Sequence, residues 1–147
     1  MPRELLELEP DEKVLVVTRA SFRGAAAASM RATFSLGSGR MRMKSFDVWH
    51  DAAIASGFPP VPPEMFVAAT DRRILFGKPT FWGTAPSGYW SALGYDHIAQ
   101  TVWVRHGFVT GVAFGMAHGS IVEIEAVRGR KLRRLVTVIQ EQIASRP

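Results

Sequence analysis

Leu132, Leu135, Val136, Ile139 and Ile143 recur at i, i+3, i+4, i+7 and i+11, an apolar stripe that only a helix gathers onto one side. Arg133, Arg134, Thr137, Gln140 and Glu141 fall on the opposite side. Burying the five apolar side chains contributes about 7–15 kcal/mol gross, an upper figure before conformational entropy is charged against it. This helix therefore has to dock, and the nearest surface is the β structure preceding it.

That β structure is written in short alternating runs. Lys13–Phe22 is rich in β-branched residues and predicts a first strand. Met65–Ala69 and Arg73–Phe76 flank the polar Thr70-Asp71-Arg72 and predict a hairpin. Thr101–Arg105 alternates, with Val102 and Val104 expected on one face. Phe108, Thr110, Val112, Phe114 and Met116 alternate with Val109, Gly111, Ala113 and Gly115, which predicts one bulky and one thin face. In Ile121–Glu125, Val122 and Ile124 are expected inward and Glu123 and Glu125 outward. Phe81–Gly94 is glycine- and aromatic-rich and lacks a clear period. Short strands at roughly ten-residue spacing predict an antiparallel sandwich or barrel.

Residues 24–63 interrupt the rhythm. Leu36–Arg40 reads as a turn-rich linker, and Asp47–Ser56 as a short helix with Val48, Ala52 and Ala55 at helical spacing and Gly57 as its stop. Pro59, Pro60, Pro62 and Pro63 enforce an extended connection. The stretch has too little apolar bulk for a core of its own, so residues 1–147 are expected to form one domain carrying 24–63 as an insertion.

Composition narrows the function classes. With no cysteine among 147 residues, thiol catalysis and thiolate metal sites are excluded. No apolar run is long enough for a spanning helix, and Met1–Asp11 is acidic where a signal peptide is basic and then apolar. A cytoplasmic protein is expected, with peripheral attachment to the inner membrane face as its closest approach to lipid. The formal charge is +5 and it is unevenly spread. Glu4 to Glu12 is an acidic block, Lys13 to Phe46 contains no acid, and Arg128, Arg130, Lys131, Arg133 and Arg134 form a basic knot near the C-terminus.

One helix-bearing insertion, a meander of short strands and a C-terminal helix together resemble the pleckstrin-homology-like superfold in its bacterial PH and GRAM variants. Phe66-Val-Ala-Ala-Thr-Asp-Arg-Arg-Ile-Leu-Phe76 is similar to that family's strand, Thr-Asn/Asp-x-Arg turn and second strand. Tyr95–Ile98 resembles its short segment before the second sheet, Thr101–Val127 its closing strands and Leu132–Ile143 its terminal helix. The resemblance covers residues 13–22 and 64–144 and implies a mainly β fold, a PH-like antiparallel split barrel of about seven strands closed by one C-terminal amphipathic helix. Relatives usually have a short loop where this chain carries 24–63. Such folds commonly present loops and sheet edges to lipid headgroups, peptides or identical subunits.

Few residue patterns point to chemistry. Asp47, His50 and Asp51 share one helical face and have metal-ligand character, but no fourth ligand is near in sequence, so a solvated polar stripe is preferred and no metal is expected. Asp96-His97 has the types of a base and its orienting acid, and His106 and His118 lie in or beside turns, yet no nucleophile accompanies them. Ser38, between Gly37 and Gly39, lacks the strand-to-helix context of a nucleophile elbow, and Gly37–Arg40 is too short for a phosphate loop. Phe81, Trp82, Tyr89, Trp90, Tyr95 and Trp103 read mainly as core and sheet-face packing, with Trp82 the best candidate for exposure.

The expectation is a non-enzymatic binding or assembly module without catalytic residues or cofactor. Its anion-binding residues are sought at Arg31, Arg40, Arg42 and Lys44, at Arg72 in the hairpin turn, and at Arg128, Arg130 and Lys131 where the last helix begins. Cations there oppose the helix dipole unless Glu123, Glu125 or the acidic N-terminus neutralises them. Partners are an acidic protein, a second copy of the chain or an anionic phospholipid surface. Nucleic acid is the alternative and a hydrolase using Asp47, His50 and Asp51 a remoter one; no nucleic-acid-binding signature is present, and +5 is modest for such a binder.

Overall fold

The alternating runs become seven strands in the computed structural model, which describes residues 6–27, 38–79, 86–126 and 130–146, with the side chains of 38–42, 86 and 130 outside that description. They are β1 (Val14–Phe22), β2 (Glu64–Thr70), β3 (Arg73–Pro79), β4 (Pro86–Gly94), β5 (Ile98–His106), β6 (Val109–Met116) and β7 (Ile121–Ala126). Helix α1 (Ser38–Ala55) lies between β1 and β2, a 3₁₀ turn (Tyr95–His97) precedes β5, and α2 (Arg130–Ala144) follows β7. The strands form one antiparallel sheet in the order β4-β3-β2-β1-β7-β6-β5. The mainly β architecture with a C-terminal helix is as expected. The sheet is not hydrogen-bonded into a closed barrel: β4 and β5 are its two edges.

Helix α2 docks as its stripe requires. Leu132, Leu135, Val136 and Ile139 are buried, Ile143 is partly buried against the same core, and Val138 joins them. It runs antiparallel along β5: Arg133 stacks over Trp103 at 4.9 Å, Gln140 Nε2 donates to the Thr101 carbonyl at 2.8 Å, and Arg146 stacks over Tyr95 at 4.5 Å. The sheet's inner face completes this core with Met65, Val67, Ile74, Phe76, Phe114 and Ile124. β2 is buried on both faces, because the N-terminal segment crosses its other side and sinks Leu6 among Phe66, Ala68 and Leu75.

Several local expectations change. The insertion's helix starts at Ser38, not Asp47, and its inward side chains are Phe46, Trp49, His50 and Ala53; Val48, Ala52 and Ala55 face water. It stops at Gly57 as expected: φ is +91° there, and Gly57 N and Phe58 N donate to Ile54 O and Ala53 O, both at 3.0 Å, which closes the helix end. β4 runs through the segment that lacked a period. Register shifts at Phe76/Gly77 and Lys78/Pro79 break the alternation. In β5 Val102 and Val104 share a face as expected; Val102 is exposed, and on the other face Thr101 is buried and Trp103 packs against the core. Phe108 leaves the bulky face of β6 altogether and stands in the β5–β6 turn, 91% exposed. Glu125 is buried rather than outward.

Candidate functional site

The structure first separates the charges that hold the fold from those that do not. Glu12 is fully buried and accepts from Arg73 Nε and Nη2, both at 3.1 Å, and from the Thr70 hydroxyl at 2.7 Å. Burial pushes the Glu12 carboxyl up, but hydrogen bonds from Arg73, Thr70 and the Glu9 amide outweigh it and hold the group below the usual carboxylate range. The same hydrogen bonding raises Arg73, against its partial burial. Thr70 Oγ1 accepts the amides of Arg72 and Arg73, so the hydroxyl shapes its own turn. Asp71 instead grips the N-terminal segment, accepting from Lys13 N at 2.9 Å. Arg72 is engaged by Glu9 at 2.8 Å, which raises its pKa, so this candidate anion contact already has a carboxylate. Tyr95 donates to the Thr70 carbonyl, and burial pushes its phenol up although Arg146 opposes the shift.

A second ion network joins β1, β7 and β5. Arg23 Nε lies 3.2 Å from Glu123 and Nη1 3.0 Å from buried Glu125, which also accepts the Ala26 amide at 2.9 Å. His106 Nε2 is 3.3 Å from Glu123. The two glutamates expected to neutralise the basic knot are therefore committed to Arg23. Arg19 pairs with Glu64 across β1 and β2.

The chemical candidates do not assemble. Asp47 and Asp51 face water, whereas His50 turns inward, stacks on Phe46 at 4.9 Å and accepts the Val61 amide at Nε2, 3.1 Å away. That bond places the ring proton on Nδ1 and fixes the Pro-rich connection to α1. Among the described residues no group of three His, Asp or Glu side chains is arranged to hold a metal ion. Asp96 and His97 are 3.8 Å apart and exposed, and no described hydroxyl bonds to either. Ser38 opens a helix, without the strand-to-helix elbow. Tyr89, Tyr95 and Trp103 pack into the fold and Trp90 is half-exposed, while Phe81 and Trp82 lie outside the described residues.

What remains is a cationic pole. α2 runs antiparallel to β5 with Arg133 over Trp103, so its first turns, with exposed Lys131 and Arg134, lie toward the end of β5 that carries exposed Arg105. Among the described residues no carboxylate pairs with Lys131, Arg133, Arg134, Arg105 or Lys44. Arg130 opens α2, with its side chain outside the description, and Arg128 lies outside the described residues. Of the insertion cluster, Lys44 is exposed on α1; the Arg40 and Arg42 side chains and the whole of Arg31 lie outside the description. Lys44 also borders a cleft of about 560 Å³ with Val48, Trp49 and Arg23. A neighbouring cavity of about 240 Å³ lies between α1 and β7, lined by Trp49, Ala52, Ile121 and Glu123. Trp49 Nε1 donates to the Glu123 carbonyl at 2.9 Å, so its wall is fixed. Among the described residues, Arg23 is the cation that borders both spaces, and Glu123 and Glu125 pair with it. Arg105 and Phe108 went unrecognised as site residues in the sequence, where they read as ends of adjacent strands.

No protein-family model matches the chain, and no curated protein matches it. Among the described residues no helix is long and apolar enough to cross a membrane.

Proposed function

We propose that this protein is a non-enzymatic binding module that meets an anionic partner with the pole formed by Arg105, Lys131 and Arg134. One observation carries the reading: the described carboxylates near the fold's strained charges are used to hold Arg19, Arg23, Arg72 and Arg73, while the cations around the start of α2 are left without them. Each cation in a first helical turn opposes the dipole by about 0.3–1 kcal/mol, a cost that an arriving anion removes. Support for a PH-like kinship comes from the order of seven antiparallel strands and the helix after them. A cytoplasmic location, peripheral to the inner membrane face when bound, fits this reading.

The experiment is a salt titration of binding to two anionic probes, phosphatidylglycerol vesicles and a polyglutamate peptide, with phosphatidylcholine vesicles and duplex DNA as comparators. Binding to at least one anionic probe at low salt is expected, with loss toward 1 M salt as the screening length contracts to about 3 Å. Stronger retention of DNA than of either probe would favour the nucleic-acid alternative. Binding to no probe, or equal binding to neutral vesicles, would remove the proposal.

A further inference from the structure

We infer that the β5–β6 hairpin is a membrane-insertion tip: Phe108 enters the hydrocarbon boundary of an anionic bilayer while the cations around it engage the headgroups. This rests on the anionic-partner reading above and names the partner. Gly107 has φ +64° at the first central position of a two-residue turn, and Phe108 is absent from the residues with positive φ, as in a type II′ turn. The turn thus needs Gly107 but makes no demand for an aromatic at 108. Arg105 Nε donates to the Gly107 carbonyl at 3.1 Å and braces the turn from one strand. His106 Nε2 lies 3.3 Å from Glu123 on β7 at the root of the hairpin. At the end of this braced turn the Phe108 ring stands 91% exposed.

A lone exposed apolar side chain is ordinary on protein surfaces. The surroundings of Phe108 are what select a bilayer. A protein hot spot sits in a patch of apolar neighbours with a flat or concave rim. Phe108 instead crowns a convex turn, and exposed Arg105, Lys131 and Arg134 lie at the same end of the sheet. An aromatic tip with cations at the same end of the sheet matches an anionic membrane surface, which receives a protruding tip and supplies headgroup charge around it. One inserted ring gives weak, reversible binding, so the charges are needed as a second contribution.

The test uses the full chain with phosphatidylglycerol vesicles, and compares wild type with Phe108→Ser and Phe108→Trp. Because the side chain is exposed, both variants should keep the wild-type thermal midpoint, and that measurement screens out misfolding. Phe108→Ser is expected to weaken vesicle partitioning about 10-fold or more while leaving polyglutamate binding unchanged. Phe108→Trp is expected to retain partitioning, with added emission that bromine-labelled acyl chains quench. Equal vesicle binding by wild type and Phe108→Ser would overturn insertion and leave the anionic-partner reading standing. So would binding to polyglutamate without binding to vesicles. Parallel loss of both probes in Phe108→Ser would make Phe108 a protein contact and likewise overturn insertion. Binding of wild type to neither probe would remove both readings together.

Discussion

Glu12 illustrates how one side chain settles the role of a motif. Thr70, Asp71, Arg72 and Arg73 have the composition of an anion-binding turn, but the anions they hold are the chain's own: Glu12 on Arg73 and Glu9 on Arg72. Removing the buried carboxylate with Glu12→Gln leaves Arg73 without its charge partner, and a loss of about 2–3 kcal/mol is expected in chemical denaturation. The pH dependence has a definite sign. Glu12 titrates lower in the folded than in the unfolded chain, so its contribution is fully present above the ordinary carboxylate range and fades as the pH falls through the depressed folded value. Wild type should therefore lose stability more steeply than Glu12→Gln below about pH 4–5; parallel slopes would refute the assignment. This network was only half legible in the sequence. The turn residues announce a turn, but nothing local indicates that a glutamate 58 residues away from Thr70 answers it. Likewise His50 carries the residue type of a ligand while its Nε2 is occupied by Val61, so millimolar zinc should leave the thermal midpoint unchanged. A zinc-dependent rise would reinstate the metal reading.

At the level of elements, legibility followed regular periodicity. The α2 stripe is buried at the positions its spacing marks and the β2–β3 register is unbroken, so both read directly, whereas β1 shifts register between Val14 and Val16 and β7 departs from its alternation at buried Glu125. β4 pairs with β3 through two register shifts, so a period-2 reading loses it. α1 fails for another reason: its inward face mixes aromatics with His50 and Ala53, so the exposed Val48–Ala52–Ala55 row imitates a buried one. Gly77 marks the tightest point of the β3–β4 pairing, where an added Cβ would lie 2.1 Å from the Gly88 carbonyl oxygen and 2.3 Å from the Phe66 ring. Gly77→Ala is expected to cost about 1–3 kcal/mol, read as a lower urea midpoint at unchanged slope, with Gly88→Ala, which meets nothing within 4 Å, as the harmless comparison. Leu135→Ala in α2 is expected to cost about 2–5 kcal/mol by the same measurement. An unchanged midpoint there would deny that α2 helps to close the core. The edge strand β5 is also guarded, since Gln140 occupies the Thr101 carbonyl and so hinders pairing with a second copy.

Over the whole molecule, the described ion pairs hold acids at the N-terminal segment and the β1–β7 junction, and among the described residues Arg105, Lys131 and Arg134 have no carboxylate partner where α2 starts toward the β5–β6 end of the sheet. The basic knot was visible in the sequence; that Lys131 and Arg134 lie toward the same end of β5 as Arg105 was not, because this arises only when α2 folds back antiparallel along β5. Hydrogen–deuterium exchange on the intact chain, with and without phosphatidylglycerol vesicles, reads this placement most directly. Slowed exchange concentrated in residues 105–109 and the first turn of α2, reversed by high salt, is the expected outcome. Protection centred on β4 or on the Thr70–Arg73 turn, or none at any site, would contradict it.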